Sequence, residues 1–86
     1  MIIGTNRVFA HEGKEYHIQA EDLGVAEAYF EVRVYVGGGV VWRKQVSYGD
    51  VLRQSLPKAE QDEALNSMMN KTITTVQAAI AKGKIG

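Results

Sequence analysis

Eighty-six residues carry ten basic and ten acidic side chains, two histidines and no cysteine. A chain of this length supports one domain with a single modest core; the lack of cysteine excludes disulfides and thiolate metal sites, and the zero net charge gives no global pull toward nucleic acid or anionic membrane. No apolar run approaches the ~20 residues of a membrane-spanning helix, and Met1-Ile2-Ile3-Gly4 has neither a basic leader nor a long apolar stretch, so no membrane association is expected and the expected location is cytoplasmic.

Residues 1–6 carry no pattern that separates a fraying end from an edge strand. Residues 7–11 (RVFAH) and 15–20 (EYHIQA) flank Glu12-Gly13-Lys14, which predicts a hairpin turn around Gly13. In the second arm Tyr16, Ile18 and Ala20 alternate with His17, Gln19 and Glu21, and residues 21–27 form a polar connector without periodicity. The hairpin over residues 28–48 carries the clearest strand signal. Phe30, Val32, Val34 and Val36 share one face, and Tyr29, Glu31, Arg33 and Tyr35 share the other. The following arm sets Val40, Trp42, Lys44, Val46 and Tyr48 against Val41, Arg43, Gln45 and Ser47.

Between the arms stand Gly37, Gly38 and Gly39, which tolerate the positive φ of tight turns. Parity predicts their use. An odd glycine loop pairs Val36 with Val40, Val34 with Trp42 and Phe30 with Val46. An even loop sets Val34 against Arg43 and mixes the two faces, because a one-residue slip turns every side chain over. Lys44 is the one awkward inward residue, and its aliphatic stem suits a place at the sheet's rim.

After Tyr48 the period changes. Asp50 is the expected N-cap of a short helical turn over residues 50–56, and Pro57 is expected in the first turn of a helix over 57–82. Leu65, Met68, Met69, Ile73, Val76 and Ile80 recur there at helical spacing. Acidic residues near the helix start and lysines near its end suit the dipole, and Gly83 supplies the stop. About 26 helical residues span ~39 Å, whereas strands of about nine residues span ~30 Å. An apolar stripe reaching Ile80 beyond the sheet therefore hints at a homodimer, with a kink near residues 70–75 as the competing reading. Met-rich stripes also mark adaptable binding surfaces, but core packing is the preferred reading.

The expected fold is α+β: one domain, an antiparallel meander of three or four strands over residues 1–49, with the C-terminal helix on one face. The opposite face collects His17, Gln19, Glu21, Tyr29, Glu31, Arg33, Tyr35, Arg43 and Gln45. Aromatic and arginine side chains on a sheet suit single-stranded nucleic acid. Against this stand Glu21, Glu31 and the balanced charge, and a solvated face with Glu31 near Arg43 is the plainer reading. His17 beside Glu21 or Glu31 is the candidate acid–base pair, but no nucleophile, glycine nest or deep pocket accompanies it. His11, His17 and a carboxylate follow no metal-ligand spacing. The glycines lead from strand to strand rather than into a helix, so they are a turn and not a phosphate loop.

The run Tyr16-His17-Ile18-Gln19-Ala20-Glu21-Asp22-Leu23-Gly24, with Val36-Gly37-Gly38 and Tyr48 behind it, resembles a group of small, uncharacterised bacterial β-meander-plus-helix domains. The resemblance covers about residues 11–50 and implies a bacterial source and a module that stands alone or joins larger chains; it implies no activity. Function is thus expected to be that of a non-enzymatic protein-interaction or oligomerisation module, homodimeric with a second copy of itself or else binding another protein. Its candidate surfaces are the polar sheet face (His17, Gln19, Tyr29, Glu31, Arg33, Tyr35, Arg43) and the helix stripe (Met68, Met69, Ile73, Val76, Ile80). Weak single-stranded nucleic-acid binding is the alternative and a small enzyme using His17 the third. No catalytic, cofactor-binding or metal-binding residue is assigned.

Overall fold

The computed structural model describes residues 4–24 and 26–85. Strands β1 (Gly4–His11), β2 (Lys14–Asp22), β3 (Tyr29–Val36) and β4 (Gly39–Ser47) form one antiparallel sheet in chain order, followed by helices α1 (Gly49–Arg53) and α2 (Lys58–Ala81). The α+β meander with a long C-terminal helix is the architecture. Of the ambiguous first residues, Gly4 to Asn6 pair with β2 as part of an edge strand; residues 1–3 lie outside the described residues.

Two tight turns set the registers. Glu12 and Gly13 (φ 50° and 79°) close β1 onto β2, and Gly37 and Gly38 (φ 59° and 84°) close β3 onto β4. Positive φ at both central residues is the hairpin geometry that follows the right-handed twist of the strands. The predicted three-glycine loop is therefore corrected. Gly39 belongs to β4 and pairs with Val36, and Val40 pairs with Tyr35 rather than with Val36. The sheet then inserts Val41 as a bulge, after which Val34 meets Trp42 and Phe30 meets Val46, the pairs that parity requires. A bulge supplies one extra residue to one strand. Here it converts an even turn into the odd register that keeps Trp42 on the helix side.

The core lies between the sheet and α2. Tyr16, Ile18, Ala20, Phe30, Val32 and Val34 from the sheet pack with Leu65, Met69, Ile73, Val76 and Ile80 from α2. Tyr48, Val51 and Ile85 close its ends, while Val36, Trp42, Val46 and Leu52 are only partly buried at its margin. Helix α2 runs without interruption through residues 70–75. Its N-cap is Pro57, whose carbonyl accepts the Gln61 amide at 2.9 Å, so the proline stands just before the first turn rather than in it. At its other end the Lys84 amide donates to the Ala79 carbonyl (2.9 Å) and the Gly83 amide to that of Ile80 (3.0 Å), with Gly83 at φ 73°. These are the two bonds of a Schellman stop.

The short helix also differs from expectation. Tyr48, not Asp50, occupies the N-cap of α1, and Asp50 lies in its first turn, paired with Arg53. Burial explains the shift. The Tyr48 side chain is fixed in the core, and its carbonyl accepts the Val51 amide at 2.9 Å, which starts the helix there.

Candidate functional site

Strand register orders the outer face of the sheet into rows running across the strands. Glu21, Glu31 and Gln45 lie side by side in one row beside Gly4. The next row holds Asn6, Gln19, Arg33 and Arg43, and the one after it Val8, His17, Tyr35 and Val40. Tyr29 stands opposite Ser47 beyond the acidic row. All seven sheet residues singled out from the sequence thus share this face, and no element of the described chain covers it.

The acidic row is anchored by Glu31. Its side chain is only 11% exposed although the face is open, because neighbouring side chains fold over it. Arg33 donates through Nε to Glu31 Oε2, and Gln45 Nε2 donates to Oε1 at 3.5 Å. The Arg33 guanidinium also stands 4.0 Å from Glu21. The Arg33 hydrogen bond, against an opposing desolvation cost and with help from the charges of Arg33 and Arg43 and the Gln45 bond, holds the Glu31 carboxyl below its ordinary range. Glu31 therefore finds its main partner two residues along its own strand and not in Arg43, which acts on it only through space.

His17 does not meet either predicted carboxylate. Its Nε2 lies 2.8 Å from Glu15 Oε1, on the same strand, and the ring is half exposed between Val8 and Tyr35. Period-two alternation places residues 15 and 17 on one face, which is why this neighbour wins. The His17–Glu15 contact is exposed at both side chains. His11 faces the helix side, stacked on Phe9 at 5.9 Å, so the two histidines lie on opposite faces of the sheet and cannot share a metal. Among the described residues no group of three or more His, Cys, Asp or Glu is placed to hold a metal ion.

The helix stripe requires a correction. Met69, Ile73, Val76 and Ile80 are buried within one chain, and Met68 packs at their margin, so these residues offer no free oligomer surface. The surplus length of α2 falls at its polar start, where residues 58–60 are exposed. At the other end Ile85 folds back to cover the last turn.

Sequence reasoning missed the apolar part of the outer face. Val8 (55% exposed), Val40 (51%) and Val41 (45%) are the exposed large hydrophobic residues of the described chain. Val8 and Val40 share the row of Tyr35, and Val41 follows directly as the bulge residue. Strict alternation assigns Val40 to the core, but the two-residue turn pairs it with Tyr35 on the outer face, and the bulge then returns Trp42 inward. Phe9 and Tyr16 are cross-strand partners on the core side, and this pairing was the available sign that Val8 points outward.

Among the described residues no helix is long and apolar enough to cross a membrane. Compared with family models, curated proteins and solved structures, the chain finds no match in any of the three.

Proposed function

We propose that this chain is a non-enzymatic interaction module that pairs with a second copy of itself through the outer face of its sheet. The order of charges on that face supports the reading. Like charges sit side by side within rows, Glu21 beside Glu31 and Arg33 beside Arg43, and opposite charges sit one row apart. Like charges directly across a strand pair are unfavourable within one sheet. A two-fold axis parallel to the rows lays the acidic row of one copy over the basic row of the other. Such a contact uses the same patch twice and closes on itself. Val8, Val40 and Val41 add apolar surface beside the charges, at about 25 cal/mol for each Å² removed from water.

A cytoplasmic address belongs to the same proposal and rests on the sequence reading. Single-stranded nucleic acid finds less support as the partner. Of the side chains it would use, Tyr29, Arg33, Tyr35 and Arg43, the Arg33 guanidinium is already engaged by Glu31 and approached by Glu21, and both carboxylates repel phosphate.

Sedimentation equilibrium tests the pairing. The native chain is expected to dimerise at tens of micromolar, and the Val8→Asp, Val40→Asp double variant to remain a folded monomer, because both positions are exposed. A native chain that stays monomeric, or a double variant that dimerises equally well, contradicts the proposal.

A further inference from the structure

The second surface lies on the opposite side of the sheet, so it stands independently of the outer-face pairing. Neighbouring strands are ~4.8 Å apart, so the outer two of four strands are separated by ~14 Å, while one helix with its side chains is ~10 Å across. A single helix cannot cover such a sheet. Here α2 is seated to one side, over β1, β2 and β3. Arg7 of β1 fixes that seat: its guanidinium donates to Thr74 Oγ1 at 3.1 Å and to Gln77 Oε1 at 3.0 Å, both on one margin of α2. The other margin is left facing open space above β4.

That space is a groove of about 360 Å³. Its floor is Trp42 and Val46 of β4, and its wall is Val76 and Ala79 of α2, with Ile85 at one end. Thr72 and Thr75 complete the wall, and these side chains are short enough to let a neighbouring backbone approach. Lys44 rims the groove from the sheet and Lys71 from the helix; no acidic side chain of the described residues lines it. The floor is apolar and the rim is basic on both sides.

We propose that this groove seats an amphipathic α-helix of a partner protein whose apolar stripe is flanked by acidic side chains. Its carboxylates meet Lys44 and Lys71, and its apolar stripe lies on Trp42, Val46 and Ala79. A second copy of this chain does not supply the occupant, because the α2 stripe is buried in its own core and α1 has only five residues. Helix-in-groove recognition places apolar anchors at i, i+3, i+4 and i+7, with charge flanks deciding the choice of partner.

Trp42 is the only tryptophan of the chain and lines the groove, so it reports occupancy directly. The test titrates the full chain with a designed helical peptide of about 18 residues, a length that supports helix formation, carrying a leucine stripe flanked by glutamates. Saturable blue-shifted Trp42 emission is expected, with binding roughly tenfold weaker when lysines replace the glutamates. The Lys44→Glu, Lys71→Glu double variant is expected to reverse that preference; both lysines are exposed, so circular dichroism should show an unchanged fold. No saturable change with the glutamate peptide, or equal binding of the two peptides, overturns the proposal. So does a response to dodecanoate without one to the peptide, which marks a small-molecule site. A Trp42 emission that shifts with protein concentration alone overturns it in favour of a second copy.

Discussion

Tyr48 ties together three parts of the chain that the sheet alone would leave loose. Its hydroxyl donates to Asp22 Oδ1 at 2.6 Å, an oxygen that also accepts the Gly24 amide, and its own amide donates to the Ala28 carbonyl. The β2–β3 connector, the end of β4 and the start of α1 thus share one buried side chain. Burial, with the Asp22 hydrogen bond and charge added, pushes the phenol well above its usual value. Because the folded value is the higher one, the stabilisation is complete below ~10 and is lost as pH rises through the folded value. Tyr48→Phe is expected to cost about 1.5–3 kcal/mol in urea unfolding near neutrality, the range for a hydrogen bond to a charged group. Glu31 behaves in the opposite sense. Its folded pKa is lowered, so its contribution is complete above ~4.3 and is lost as pH falls through the folded value. Glu31→Gln should flatten the acid limb of the stability profile, and an unchanged limb in pH-dependent melting would contradict the role of the Arg33 pair.

Among the elements, β4 carries the most consequential departure from simple alternation. Its even turn sets Val40 outward and its bulge brings Trp42 back inward, so the one inserted residue lets the strand serve both the outer face and the core. Deleting Val41 is expected to leave a folded chain with little change in Trp42 emission, because Tyr35–Val40 and Val34–Trp42 then become consecutive pairs. Deleting Arg43, in a regular stretch, should reverse the faces of the residues beyond it and lower the melting temperature sharply. In α2, Ile73→Ala removes a side chain buried to 1% exposure and should cost about 2–5 kcal/mol. These cases also show what could be read in advance. Phe30, Val34 and Ile73 announce their faces by period, and Gly83 announces the helix stop, because each signal is local. The bulge, the Tyr48–Asp22 tie and the off-centre seat of α2 are long-range outcomes. Thr74 and Gln77 look like ordinary surface residues until Arg7, far away in the chain, is placed against them. The polar sheet face was legible residue by residue, and alternation sets Glu31 and Arg33 on it two residues apart, but which of Arg33 and Arg43 takes the Glu31 carboxylate was not written in that pattern.

At the scale of the molecule, one helix covers one face of a four-stranded sheet and covers it incompletely. Two surfaces result, with different chemistry. The outer face orders its charges in rows that complement a rotated copy, while the groove beside α2 offers an apolar floor between two lysines. The proposed assembly through the first would leave the second open for the proposed partner helix. The most direct test of the outer-face pairing is a dilution series followed by amide chemical shifts. On dilution, the expected shifts fall on Gln19, Arg33, Tyr35, Val40 and Arg43, while those of Thr72, Thr75 and Ala79 stay constant. Concentration-dependent shifts confined to the α2 margin, or none anywhere, would contradict the pairing.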